Sequence, residues 1–305
     1  MFETAFTAAC LYLIHTLSTQ SILRPRKPDV RLSTSTCVLI LTDHLLNHNV
    51  AHCETLPIET EMPFDPRVSF AALLLLATPL SAQATPVTFE TEDGVTISAD
   101  IEFPEAEQDQ RPAIIFIHQG GSGKSEWVET ELYKQVVKHG MVALAYDVRG
   151  HGDSGGKGGR SLFDDPKRAP KDLHAALKFL AAQRNIDMSR IAIVGSSIGA
   201  NLALVGLSDP KLGIKTAVAI SGKTSAWINL AGGPEAITTP SSVYLIAAEN
   251  EQGGLRAVWA KEMFDASSDP RQLEIVPGSD RHGTNIVTNA PELERRILNW
   301  LTEHL

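Results

Sequence analysis

From residue 113 onward the chain alternates short apolar runs with helical patterns, and that alternation restricts its fold more than any other feature. "AIIFIH" (113–118), "MVALAYD" (141–147), "RIAIVG" (190–195), "KTAVAIS" (215–221) and "SVYLIAAE" (242–249) are apolar almost throughout. Strands buried on both faces have this character. Helical stretches near 126–138, 170–183, 198–207 and 255–266 separate them. The second of these places Leu173, Leu177 and Leu180 on one face, the spacing of an amphipathic helix. A further strand, "QLEIV" (272–276), precedes an amphipathic "PELERRILNWL" (291–301). Ahead of the series, "VTFET" (87–91) and "VTISADIEF" (95–103) alternate apolar and polar residues around Asp93-Gly94, a hairpin signal. A hairpin followed by repeated βα units predicts an α/β fold: a mostly parallel central sheet with helices on both faces. Residues 222–241 read as a loop-rich insert too short to form a large lid.

The N-terminal part has a different character. "VSFAALLLLATPL" (68–80) follows Arg67 and precedes Ala82-Gln83-Ala84. A basic flank, a short apolar core and small residues at an A-x-A site read as a secretory signal peptide over 62–84, starting at Met62. The run is shorter than the roughly 20 residues a membrane span takes. Residues 1–61 are then expected to be an upstream extension, either a mis-called start or a disordered segment. All three cysteines, Cys10, Cys37 and Cys53, lie in it. The expected mature protein is an exported domain, 85–305, periplasmic or extracellular. It has no disulfide, no thiol chemistry and no stable membrane insertion after cleavage. The net charge of −9 argues against a nucleic-acid partner.

Two glycine-rich stretches invite a chemical reading. "IIFIHQGGSGKSEW" (114–127) ends like a phosphate-binding loop, but the pattern needs a glycine five positions before Gly123, where His118 stands. "VGSSIGA" (194–200) holds Gly195-x-Ser197-x-Gly199 between a strand and a helix. That arrangement lifts a serine hydroxyl above the sheet on a sharp turn at a helix N-terminus. A serine nucleophile needs a base, and the base needs an orienting acid, in the chain order Ser, acid, His. Among histidines after Ser197, His282 lies in the loop "PGSDRHGTN", while His304 falls beyond the final helix at a fraying terminus. The acid is sought at the end of the preceding strand in "YLIAAENEQGG". Glu251 is preferred because a loop position reaches across more easily, and Glu249 is the alternative. The oxyanion of an acyl-transfer intermediate needs two N–H donors. Ile198 supplies one, and the "HQGGSG" loop the other, through Gly120 with Gln119 as competitor. Lys124, with no phosphate to hold, reads as a solvated residue at a helix start.

Taken together, "FIHQGG", "YDVRGHGDSGG" (146–156), "GSSIGA", "LIAAENE" and "GSDRHG" resemble the α/β-hydrolases, near the dienelactone-hydrolase-like and serine-esterase branches. The resemblance implies an α/β-hydrolase fold with a structural rather than catalytic role for Asp147, Arg149 and His151. It departs from true dienelactone hydrolases, which use cysteine where this chain has Ser197, and from members whose acid is Asp. The expected function is an exported serine hydrolase cleaving carboxylic esters through Ser197, His282 and Glu251 and an acyl-enzyme. It needs no cofactor or metal, and its partner is a small-molecule ester. A peptidase of the prolyl-oligopeptidase type and a non-catalytic binding protein are the competing readings.

Overall fold

The computed structural model describes residues 84–106 and 109–305. The expected signal peptide, Ala84 aside, and residues 1–61 lie outside the described residues. The strands are β1 (Thr85–Glu90), β2 (Thr96–Glu102), β3 (Arg111–Ile117), β4 (Val142–Tyr146), β5 (Ile186–Ser196), β6 (Ile214–Ile220), β7 (Ser241–Ala248) and β8 (Ser268–Val276). They form one sheet in the order β1-β2-β4-β3-β5-β6-β7-β8. The β1–β2 hairpin and the β2–β4 pair are antiparallel, and every later pair is parallel.

Strand order reverses at β3, which runs between β4 and β5. Crevices at such switch points, outside the carboxyl ends of the strands, are where open α/β sheets bind ligands. Here the register sets Ile117 opposite Gly195. The loop after β3 therefore emerges beside the serine turn that ends β5.

Both faces of the sheet are covered. Alternate residues of β3 point to opposite sides. Ile115 and Ile117 join a core with α3 (Ala169–Ala181), α4 (Ile198–Ser208), α5 (Thr224–Ala231) and Met263 of α6 (Leu255–Asp265). Ile114 and Phe116 join a second core with α1 (Ser125–Val128), α2 (Glu131–Lys138) and α7 (Pro291–His304). Each fully buried Ile or Leu contributes about 2 kcal/mol, so the two layers fix the strands and hence the loops at their ends.

Local chemistry moves some boundaries. The single helix expected near 126–138 is two, because Thr130 takes extended backbone and its hydroxyl caps α2 by accepting from the Tyr133 N–H at 3.2 Å. The insert 222–241 carries α5, whose Trp227 and Leu230 are buried in the first core. The final helix continues through His304, whose ring stacks on Trp300 at 3.8 Å. That histidine is thus helical and packed, not frayed. Among the described residues no helix is long and apolar enough to cross a membrane.

Candidate active site

Ser197 occupies the junction of β5 and α4 with φ +53° and ψ −107°. A non-glycine residue there is strained by about 1–3 kcal/mol. Sterics show why glycines flank it. A Cβ added at Gly195 would lie 2.1 Å from the Gly199 carbonyl oxygen, and one at Gly199 would lie 2.1 Å from that of Ile117. Neither position has room for any side chain. The Ser197 N–H donates to the Ile220 carbonyl at 2.8 Å, which ties the turn to β6. Ser197 opens onto a cleft of about 640 Å³, lined also by His151, Arg160, Phe163, Asn201 and Lys223.

The structure brings His282 and Glu251 together: His282 Nδ1 lies 2.5 Å from Glu251 Oε1. Glu251 sits on the turn after β7 and is almost fully buried. Its Oε2 accepts from the Ser221 hydroxyl at 2.7 Å, and Arg256 Nε lies 3.1 Å from Oε1 as counter-charge. Ser221 in turn accepts from the Gly283 N–H at 3.0 Å, so one hydroxyl joins the acid's turn to the histidine's loop. An ionised carboxylate only accepts hydrogen bonds. Nδ1 accordingly carries the ring proton and Nε2 keeps its lone pair. Glu249 is placed elsewhere, accepting from the Gly278 N–H at 2.7 Å. No hydrogen bond joins Ser197 Oγ to His282 among the described residues; such contacts often tighten only when substrate binds.

The loop after β3 owes its shape to His118. Its Nε2 accepts from the Val148 N–H at 2.9 Å, and its Nδ1 lies 2.7 Å from the Gln119 carbonyl oxygen. Burial pulls the ring's pKa down to about 4, so it is neutral and donates from Nδ1. In a trans peptide the C=O and the following N–H point in opposite directions. Holding the Gln119 carbonyl therefore aims the Gly120 N–H away from His118. That N–H has no acceptor among the described residues, whereas the Gln119 N–H faces Glu126 Oε1 at 3.4 Å. Ile198, the first residue of α4, has no intrahelical acceptor for its own N–H.

Lys124 departs from its sequence reading. Its ammonium is mostly buried, 3.1 Å from each of Asp147 Oδ2, Asp153 Oδ2 and Ser98 Oγ. The loop folds back over carboxylates that neighbouring segments supply, a long-range pairing that residue spacing does not announce. Arg149 pairs with buried Asp172 at 2.7 Å and with Asp93 at 2.8 Å. His151 lines the cleft. Sequence reasoning missed Ser221, Arg256 and Glu126. Ser221 directly follows β6, so attention to every strand end would have found it. Nothing in the spacing of Glu126 sets it apart from a solvated first-turn acid.

Known proteins share this fold and parts of this sequence. The family model described as serine aminopeptidase, S33, matches residues 108–238. An uncharacterized protein of Mycobacterium tuberculosis is 24% identical over 232 residues, covering 71% of this chain and 79% of that one. The Pyrococcus furiosus esterase Pf2001 superposes with a TM-score of 0.56 at 22% identity, covering 73% of this chain and 94% of the esterase. Porphyromonas gingivalis dipeptidyl peptidase 4 does so with a TM-score of 0.58 at 15% identity, covering 73% and 36%. The fold is that of the α/β-hydrolases. Its structural neighbours include both esterases and a peptidase.

Proposed function

We propose that the chain is an exported serine hydrolase acting on carboxylic esters. Ser197 Oγ attacks the ester carbonyl while His282 Nε2 takes its proton. Glu251 holds the ring and stabilises the imidazolium that forms. The tetrahedral oxyanion rests against the Gly120 and Ile198 N–H groups. His282 then returns the proton to the leaving alkoxide. Water, deprotonated by the same nitrogen, releases the acid from the acyl-enzyme. The observation that carries this reading is the 2.5 Å contact between Glu251 and His282. It joins separate turns, both at the carboxyl edge where the strained serine stands. The leader-like segment 62–84 supports export.

A serine aminopeptidase is the second reading, favoured by the description of the matching family model. Such an enzyme must hold a free ammonium group, for which carboxylates serve. The cleft instead presents Arg160 and Lys223 beside a single acid, Asp164, while Arg256 on its wall is paired with Glu251. This charge balance supports the ester reading. The test is a series of 4-nitrophenyl esters from acetyl to dodecanoyl, run beside aminoacyl anilides on the native protein and on Ser197→Ala. Ester turnover lost in the variant, with a short-chain optimum, is expected. Anilide turnover exceeding that of matched esters would move the assignment to a peptidase.

A further inference from the structure

One carboxyl group that this mechanism does not use touches three of the four loops of the proposed site, all but the turn that carries Glu251. Glu126 Oε1 accepts from the Ser196 hydroxyl at 2.8 Å and from the Thr284 hydroxyl, and lies 3.4 Å from the Gln119 nitrogen. Ser196 immediately precedes the nucleophile. Thr284 stands two residues past His282, and Gln119 immediately precedes the oxyanion donor Gly120. The Ser196 and Thr284 hydroxyls are also 3.0 Å apart. Close packing reinforces these bonds. A Cβ added at Gly283 would lie 2.0 Å from Gln119 Oε1 and 3.4 Å from Ser196 Cβ. The β3 loop, the serine turn and the histidine loop thus meet at one point, and Glu126 is the polar group shared by all of them.

The group's burial bears on its charge. Its Oε2 is buried with no hydrogen-bond partner among the described residues. A bare carboxylate with one unsolvated oxygen is costly to bury, while the neutral acid is much less so. Burial accordingly raises the Glu126 pKa above the usual carboxylate range.

We infer that Glu126 is a positioning residue for the ester hydrolysis proposed above, setting the mutual spacing of Gly120, Ser197 and His282 through its bonds to Gln119, Ser196 and Thr284. The inference rests on the serine-hydrolase reading. A group of this kind acts on the transition state rather than on substrate binding, because small misplacements of donor and base cost rate while leaving the cleft intact.

The test compares the native protein with Glu126→Ala and Glu126→Gln. It measures kcat and KM on 4-nitrophenyl butyrate and affinity for an alkyl boronic acid, which mimics the tetrahedral intermediate. Glu126→Ala should lose about tenfold or more in kcat with KM changed less than about threefold. Its boronate affinity should fall by the same factor as kcat/KM. Glu126→Gln, of the same size and keeping an acceptor oxygen for Ser196, Thr284 and Gln119, should recover most of the loss. If the alanine variant does not fold, Thr284→Val and Ser196→Ala each remove one bond at near-constant volume and should show the same kcat-selective pattern more weakly. Unchanged kcat in folded Glu126→Ala, or unchanged kcat in both hydroxyl variants, would overturn the inference. So would a loss confined to KM with boronate affinity retained. A native protein that turns over esters alongside an equally active variant fails only this inference. A native protein that neither turns over esters nor reacts with a fluorophosphonate fails the serine-hydrolase reading, and the inference with it.

Discussion

Acidification should destabilise this fold through His118, by an amount the structure sets. The ring is fully enclosed, and burial holds its pKa at about 4 against 6.5 for an ordinary histidine. Its Nε2 accepts from the Val148 N–H, so a proton there would both charge a buried group and break a hydrogen bond. Between the two values the unfolded chain binds a proton that the native state refuses. Stability from this residue is therefore fully present above the unfolded value and is lost as pH falls toward the folded one. The values differ by about 2.5 pH units at about 1.4 kcal/mol each; half-protonation of the native ring at its own pKa trims the loss at pH 4 to about 3 kcal/mol. Against a typical stability of about 5–15 kcal/mol, that is a large share. Asp172 works in the opposite direction. Burial raises its carboxyl to about 6, so the proton it keeps in the native state favours folding at low pH and that gain disappears as pH rises. Comparing the native protein with His118→Gln removes this and every other shared titration. Glutamine can accept from Val148 and donate to Gln119 but does not titrate. Urea unfolding at about pH 7, 5.5 and 4 should show the native protein losing about 3 kcal/mol more than the variant over that range. Parallel losses in the two proteins would refute the reasoning.

Other consequences follow from the same contacts. Gly199→Ala forces a methyl against the Ile117 carbonyl and should cost about 3 kcal/mol or more, read from its denaturation midpoint, with esterase activity abolished. Glu251→Gln keeps the shape but frees His282 to adopt the wrong tautomer, so kcat should fall by about 10²–10⁴-fold. Glu249→Gln, whose carboxylate only braces Gly278, should stay within about twofold of native in the same assay; the reverse ranking would reassign the acid. Lys124→Met leaves buried Asp147 without its counter-charge and should lower unfolding free energy by about 3 kcal/mol, whereas a change within about 0.5 kcal/mol would restore the solvated reading.

Legibility from sequence followed the range of the interactions involved. Strands such as "AIIFIH" and "RIAIVG" announce themselves because burial on both faces needs unbroken apolar runs, and the sheet carries them at Arg111–Ile117 and Ile186–Ser196. The Gly195-Ser197-Gly199 turn was readable because its steric demand is local: each glycine answers to backbone that the turn itself brings close. Glu126 was not readable, since its partners Ser196 and Thr284 lie 70 and 158 residues away along the chain. Lys124 failed for the same reason. Its fate depends on Asp147 and Ser98, which only the β2–β4 pairing delivers to it. Thr130 illustrates a smaller miss, where a helix cap inside an otherwise helical pattern split one helix into two.

The measurement that bears most directly on the central claim is the site of covalent capture. Native protein is treated with a fluorophosphonate, digested, and the modified peptide sequenced by mass spectrometry. A single adduct on Ser197, formed by folded protein and abolished by prior unfolding, is the predicted result. It requires an activated serine that only the assembled turn, His282 and Glu251 supply. No adduct, or an adduct on Ser196 or Ser221 in its place, would contradict the assignment of Ser197 as nucleophile.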